Sequence, residues 1–125
     1  MNDNLTRAYI MDIYNNPSNY GKIQDYDFSK KENNPLCGDN ITIYVKLNKN
    51  IIENISFESA GCIISNVSAS ILTKEIKGRS IADIKNNLKF EDIKEKLLIK
   101  LTPSREQCAR LSFDTFISIL KDNRL

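Results

Sequence analysis

Histidine and tryptophan are absent from this 125-residue sequence, and cysteine occurs three times, at positions 37, 62 and 108. Without histidine there is no Ser-His-Asp triad, no Cys-His dyad, no HExxH zinc helix and no two-Cys, two-His zinc finger. Three thiols cannot close a four-cysteine site in one chain, so a tight tetrahedral site needs a carboxylate, a water or another molecule as its fourth donor. The odd count argues against a disulfide framework and for a reducing compartment. Long apolar runs are also lacking, and none approaches the ~20 residues that span a bilayer. The opening Met-Asn-Asp-Asn-Leu-Thr-Arg has no basic stretch leading into an apolar one, so no signal peptide is read there. Charge of one sign is missing too: 18 Lys and Arg stand against 16 Asp and Glu, a net charge of +2. Lys30-Lys31 is too short a run to make a nucleic-acid surface. The expectation is a cytoplasmic protein with neither a membrane nor a nucleic acid as partner.

Neither repeats nor low-complexity tracts break the chain, and its length suits one domain over residues 1–125, since domains most often run to about 100–150 residues. A chain of this size buries somewhat over ~60% of its unfolded surface and needs no disulfide to hold a core. Leu5, Tyr9 and Ile13 are spaced for one face of a helix over residues 5–14. Asn15-Asn16-Pro17 stops that helix, because the residue before a proline is pushed out of the helical region. Residues 18–34 are polar and turn-rich and read as a surface loop. Ile41, Ile43, Val45 and Leu47 alternate as a half-buried strand over 41–47, and 51–59 is rich in β-favouring residues, so the two form an antiparallel hairpin. A helix is expected from 63 to 77, with Ile64, Val67 and Ile71 inward and Gly78 just past its end. Ser80 to Asp83 resembles an acidic capping box opening a short helix. Ile93, Leu97 and Leu101 mark a further helix over 91–101. A last helix over 105–121 buries Ala109, Phe113, Phe116, Ile117 and Leu120. The fold class is therefore α+β, a small antiparallel sheet with helices packed on one face.

The cysteines fall at informative places on this map. Cys62 lies at a strand-to-helix junction and Cys108 in the expected first turn of the last helix, where helix N-termini favour a thiolate over a thiol. Cys37 sits in a Pro-Leu-Cys-Gly-Asp loop, beside the backbone freedom of Gly38 and two residues from the carboxylate of Asp39. Three thiolates and one carboxylate satisfy a tetrahedral divalent metal. Plainer roles stand beside that one. Cys62 and Cys108 also read as small buried hydrophobes, and Asp39 as the side chain of an Asx-turn. Ser104 and Gln107 fit the ends of a capping box, and Arg105 fits a solvated charge at a helix end.

Taken in order, these segments resemble the IscU/SufU/NifU N-terminal family of iron–sulfur cluster assembly scaffolds, and look most like its SufU branch. The matching stretches are Ile13-Tyr14-Asn15-Asn16-Pro17-Ser18-Asn19-Tyr20-Gly21 and Asn33-Asn34-Pro35-Leu36-Cys37-Gly38-Asp39. Further on come Gly61-Cys62-Ile63-Ile64-Ser65 running into Ser68-Ala69-Ser70, the helix end Ile76-Lys77-Gly78, and Arg105-Glu106-Gln107-Cys108-Ala109-Arg110-Leu111. The resemblance covers residues 5 to 120 and implies the same α+β fold. It implies that Cys37, Asp39, Cys62 and Cys108 ligate Zn²⁺ or a transient iron–sulfur cluster, of [2Fe–2S] type. It also implies a cysteine desulfurase as sulfur donor and apo iron–sulfur proteins as recipients.

Two readings follow. In one the protein is a non-enzymatic scaffold or carrier; in the other it is a zinc-dependent sulfurtransferase, with Cys37 as the sulfur acceptor that carries the persulfide. Arg105 is expected to offset the negative charge of a site with three thiolates and one carboxylate.

The chain departs from its family in three ways. Gln107 stands where IscU-type members have histidine and SufU-type members usually lysine. Leu101-Thr102-Pro103-Ser104-Arg105 keeps only the leucine and one proline of the Leu-Pro-Pro-Val-Lys segment offered to a dedicated Hsp70 chaperone, so no such partner is expected. The spacing from Cys62 to Cys108, 108 − 62 = 46 residues, is short and like the IscU type.

Overall fold

The computed structural model describes residues 3–35 and 38–125. Its elements, in chain order, are α1 (Asp3–Asn15), β1 (Phe28–Asn34), β2 (Asp39–Asn48), β3 (Ile51–Ala60), α2 (Ile63–Ile76), α3 (Ile81–Asn87), α4 (Phe90–Lys96) and α5 (Pro103–Asp122). The strands form one antiparallel sheet in the order β1-β2-β3, and the five helices cover it, so the α+β reading holds. No described helix is long and apolar enough to cross a membrane.

The strand alternation works as read: Ile41, Ile43 and Val45 of β2 and Ile55 and Phe57 of β3 are all fully buried. Lys49 and Asn50 join the two strands, and both have positive φ, 51° and 65°. That is the backbone of a type I′ hairpin turn, whose twist matches that of the flanking strands. On the far side of β3 two segments cover the sheet edge. The Phe57 amide donates to the Asn19 carbonyl (3.0 Å) and the Ile52 amide to the Arg79 carbonyl (2.9 Å), so little of that edge is open for pairing.

Strand β1 lies within the stretch read as a surface loop, which corrects the sequence expectation. It pairs with β2 from Phe28↔Val45 to Asn34↔Asp39. The hydrophobic period is missing because, after Phe28, its inward side chains are polar. Lys30 reaches across to Asp122 of α5 (2.6 Å), and Asn34 is buried at the strand's end.

Three helix expectations also shift. The buried face of α1 is Thr6 and Ile10, with Ile13 partly covered. Leu5 is exposed, and Tyr9 stays at the rim, donating its hydroxyl to the Lys96 carbonyl (2.8 Å). The helix expected over 91–101 is the shorter α4, because Leu98 turns to φ 59° and breaks it. Helix α5 starts two residues earlier than expected, at Pro103, with Thr102 as its N-cap accepting from the Arg105 amide (3.4 Å). Proline suits this first position, where its missing N–H has no intrahelical partner to lose. On the core side, Phe113 and Ile117 are half-buried while Ala109, Phe116 and Leu120 are fully packed. Phe113 meets the ring of Phe90 edge-on at 5.9 Å.

Helix α2 is buried around most of its circumference and packs between α5 and β3. Facing α5 it presents small hydroxylated side chains. Ser68 Oγ donates to the Ala109 carbonyl at 2.6 Å, and Ser65 Oγ lies 3.2 Å from the Cys108 carbonyl. Small residues let the two helices approach closely, and the hydroxyls satisfy themselves on the neighbouring backbone. The packing of these two helices brings Cys108 near the start of α2.

Because both central residues of the β2–β3 turn hold φ values that L-residues adopt at a cost, the double change Lys49→Asn, Asn50→Gly is expected to stabilise the fold by about 1 kcal/mol. Urea unfolding midpoints with an unchanged m-value check this.

Candidate metal centre

The alternation of β2 puts its odd-numbered residues inward, and at the strand's first position the inward residue is Asp39, only 1% exposed. A buried carboxylate needs hydrogen-bond partners. It finds them at the start of α2, where Oδ1 accepts the Cys62 amide at 2.7 Å and Oδ2 accepts the Ser65 hydroxyl at 2.7 Å. The carboxylate therefore reaches across to the next layer.

Gly61 permits this. It has φ 125°, and a Cβ there would stand 2.1 Å from Asp39 Oδ1 and 2.9 Å from Asp39 Cα. At the other side of Asp39, Gly38 has φ 71° and donates its amide to the Asn34 carbonyl (2.9 Å), closing the connection between β1 and β2.

Cys62 is the N-cap of α2, in extended backbone, and its sulfur accepts the Ile64 amide at 3.3 Å. The strand-to-helix junction expected for it is present. Cys108 differs from expectation: with α5 starting at Pro103 it is the sixth residue, in the second turn, beyond the unpaired amides of the helix start. It is 5% exposed, and the side-chain amide of Asn34 approaches its sulfur, Nδ2 to Sγ 3.9 Å. One ligand atom each from Asp39, Cys62 and Cys108 lies within 4.8 Å of the other two. Tetrahedral zinc with Zn–S of about 2.3 Å and Zn–O of about 2.0 Å sets donor separations of roughly 3.5–3.8 Å. The three donors therefore need to contract by no more than about 1.3 Å to share an ion. A donor set of two thiols and a carboxylate fits zinc and, with the thiols dominant, iron of an iron–sulfur cluster.

Cys37, expected as ligand and as sulfur acceptor, lies outside the described residues. Arg105 is exposed in the first turn of α5. Together with Cys62, Arg7, Ile10, Met11 and Ile99 it lines a groove of about 540 Å³. Cys62, half-exposed, is the member of the triad that opens on this groove, and no acid is among the described residues lining it. Gln107 is exposed on the other side, against Asn34 and Arg110, and the capping box expected from Ser104 to Gln107 gives way to the Thr102 cap. Asn34, Gly61 and Ser65 surround the donors but carry no metal-ligand signal in sequence. Only Ser65 had a readable clue, since it lies three residues after Cys62 and thus on the same side of the helix.

The family model for the NifU-like N-terminal domain matches residues 5–122. The zinc-dependent sulfurtransferase SufU of Bacillus subtilis is 36% identical to this chain, over 89% of it and 86% of its own length. The iron–sulfur cluster assembly scaffold protein IscU 1 of Archaeoglobus fulgidus is 34% identical, over 90% of this chain and 72% of its own. In fold, the chain superimposes on a candidate iron–sulfur cluster assembly scaffold protein for the SUF system from Fervidobacterium islandicum AW-1. The TM-score is 0.76 at 23% identity, covering 95% of this chain and 99% of that one. From residue 5 to residue 122, then, this chain belongs to the NifU-like N-terminal domain family.

Proposed function

We propose that this chain is an iron–sulfur cluster assembly protein that accepts sulfur from a cysteine desulfurase and holds a metal ion or a nascent cluster on Cys37, Asp39, Cys62 and Cys108. The observation that carries this reading is the convergence of Asp39, Cys62 and Cys108 from three separate elements, β2, the start of α2 and α5, onto one small volume. The similar SufU and IscU proteins bear the two matching descriptions, sulfur transfer with zinc and scaffolding of a cluster.

The residues divide the work by position. Cys108 and Asp39 are buried and act as fixed donors, while Cys62 faces the groove. Cys37 is the acceptor on sequence grounds, since its Pro-Leu-Cys-Gly-Asp setting pairs it with Asp39 two residues on. In the transfer, the Cys37 thiolate attacks the outer sulfur of the donor's persulfide. A new S–S bond forms on Cys37, the donor's own S–S bond breaks, and the donor leaves as a thiolate, with no net oxidation or reduction. Bound zinc keeps coordinated thiols deprotonated and ordered. Arg105, on the Cys62 side, supplies positive charge beside a site whose donors sum to more than the ion's +2.

The second reading is zinc-dependent sulfur relay without cluster storage, favoured by the SufU likeness across most of both chains. In either case the recipients are apo iron–sulfur proteins, and the setting is cytoplasmic.

Protein purified without oxygen or added metal is expected to carry one tightly held ion per chain. Stoichiometric zinc with strong activation of a cysteine desulfurase supports the relay. A coloured, oxygen-sensitive and transferable cluster supports the scaffold, and metal-free protein with inert thiols overturns both. After incubation with a desulfurase and cysteine, peptide mass spectrometry is expected to find the added sulfur on Cys37; sulfur confined to Cys62 or Cys108 rules Cys37 out as acceptor. Gly61→Ala drives a methyl group into Asp39. It is expected to destabilise the fold by about 1–3 kcal/mol and to weaken zinc binding by more than about tenfold, checked by thermal unfolding and chelator competition.

A further inference from the structure

Ser65 is 1% exposed and its hydroxyl stands at the meeting point of three elements. Its oxygen, carried by α2, is 2.7 Å from Asp39 Oδ2 of β2 and 3.2 Å from the Cys108 carbonyl of α5. A serine hydroxyl has one proton to donate. The shorter contact, to an ionised acceptor, takes it, because hydrogen bonds to charged oxygens are the stronger ones. The Cys108 carbonyl lies within α5, where the helix itself supplies a backbone partner. For Asp39, by contrast, the hydroxyl is one of two partners at the α2 start, the other being the Cys62 amide on Oδ1.

We infer that Ser65 is a positioning residue for the metal site: its hydroxyl fixes the orientation in which the Asp39 carboxylate is offered alongside Cys62 and Cys108. The inference rests on the reading of these three residues as ligands. The Asp39 side chain is short, but it has freedom at its carboxylate torsion, and two donors at opposite oxygens remove that freedom. Outer partners of this kind orient a ligating carboxylate, and losing one typically lowers metal affinity by about 10–100-fold. Ser65 touches no substrate or metal directly on this view and acts only through Asp39.

Ser68 provides the comparison that separates this role from packing. It sits one turn along α2, is fully buried, and makes the corresponding bond to α5, Oγ to the Ala109 carbonyl at 2.6 Å. If Ser65 serves only to seat α2 on α5, the two serines should behave alike.

The test is zinc affinity of the full chain, measured by competition with chelators of graded strength. The proteins are the wild type, Ser65→Ala, Ser68→Ala, Asp39→Ala and the double variant Ser65→Ala/Asp39→Ala. The expected result is a loss of about 10–100-fold for Ser65→Ala, and a change of less than about threefold for Ser68→Ala. In the Asp39→Ala background, Ser65→Ala is likewise expected to change affinity by less than about threefold, because the group it positions is gone. A Ser65→Ala affinity within about threefold of wild type overturns the inference, as does an equal loss in Ser68→Ala or a loss that persists without Asp39. Should Ser65→Ala fail to fold, the double variant still decides. It is as stable as Asp39→Ala if the fault is a carboxylate left without its partner, and less stable than Asp39→Ala if Ser65 serves packing. Wild-type protein that binds no zinc overturns the ligand reading itself, whereas wild-type binding with an unaffected Ser65→Ala overturns only the role of Ser65.

Discussion

A carboxylate buried at the first residue of a strand is the constraint on which the rest of the centre depends. Asp39 is almost wholly enclosed, and an unpartnered charge in that position would cost several kcal/mol. Its Oδ1 takes the amide of Cys62 at 2.7 Å, which ties the beginning of β2 to the beginning of α2. The approach is too close for any side chain at Gly61, whose positive φ turns the chain from β3 into the helix. Cys62 is thereby left as the helix cap with its sulfur beside the carboxylate. From there the close packing of α2 against α5 puts Cys108 opposite. The contacts of one carboxylate thus tie β2 to α2, and the packing of α2 on α5 brings in the third element.

Enclosure is uneven around these donors. Asp39 and Cys108 are buried, and Cys62 opens on a groove whose floor is apolar and whose described charged residues, Arg7 and Arg105, are both cations. Among the described donors Cys62 is the accessible one, and the two guanidinium groups make the groove beside it favourable for an anion. On the opposite side of Cys108, the Asn34 side-chain amide approaches the sulfur from the end of β1.

Much of this was readable from the sequence, and the rest was hidden for definite reasons. Strands β2 and β3 are legible because Ile41, Ile43 and Val45 alternate against a one-sided core. The edge strand β1 is not, since its inward residues include Lys30 and Asn34, which pair with groups on α5 instead of packing in oil. The stripe of Leu5, Tyr9 and Ile13 misplaces the inner face of α1 because Thr6 serves as a core residue, and a threonine does not announce itself in a hydrophobic pattern. The start of α5 was read two residues late, which moved Cys108 from the second turn into the first and lent it a dipole it does not meet. Ordered motifs identified Asp39, Cys62 and Cys108 as a set. Nothing in spacing could show that Ser65 and Gly61 shape the Asp39 carboxylate, because that depends on how close two layers come.

The partners of Asp39 also bear on how such a centre lets go of what it holds. A carboxylate is a harder donor than thiolate and binds a soft, sulfur-rich ion or cluster less firmly, so on the proposed ligand set the Asp39 corner would be the one most easily parted. In a site built only of ligands, the freed carboxylate would be a buried charge without partners, and that penalty would hold the ion in place. Here the Cys62 amide donates to one carboxylate oxygen and the Ser65 hydroxyl to the other. On the proposed ligand set, a carboxylate that lost its metal contact would keep these two bonds, and the fold around the site need not collapse. The same two bonds keep the carboxylate aimed for the next loading, since it cannot swing away to solvent. A donor set that is weak at one corner and held rigid at that same corner suits a protein whose cargo must both arrive and leave.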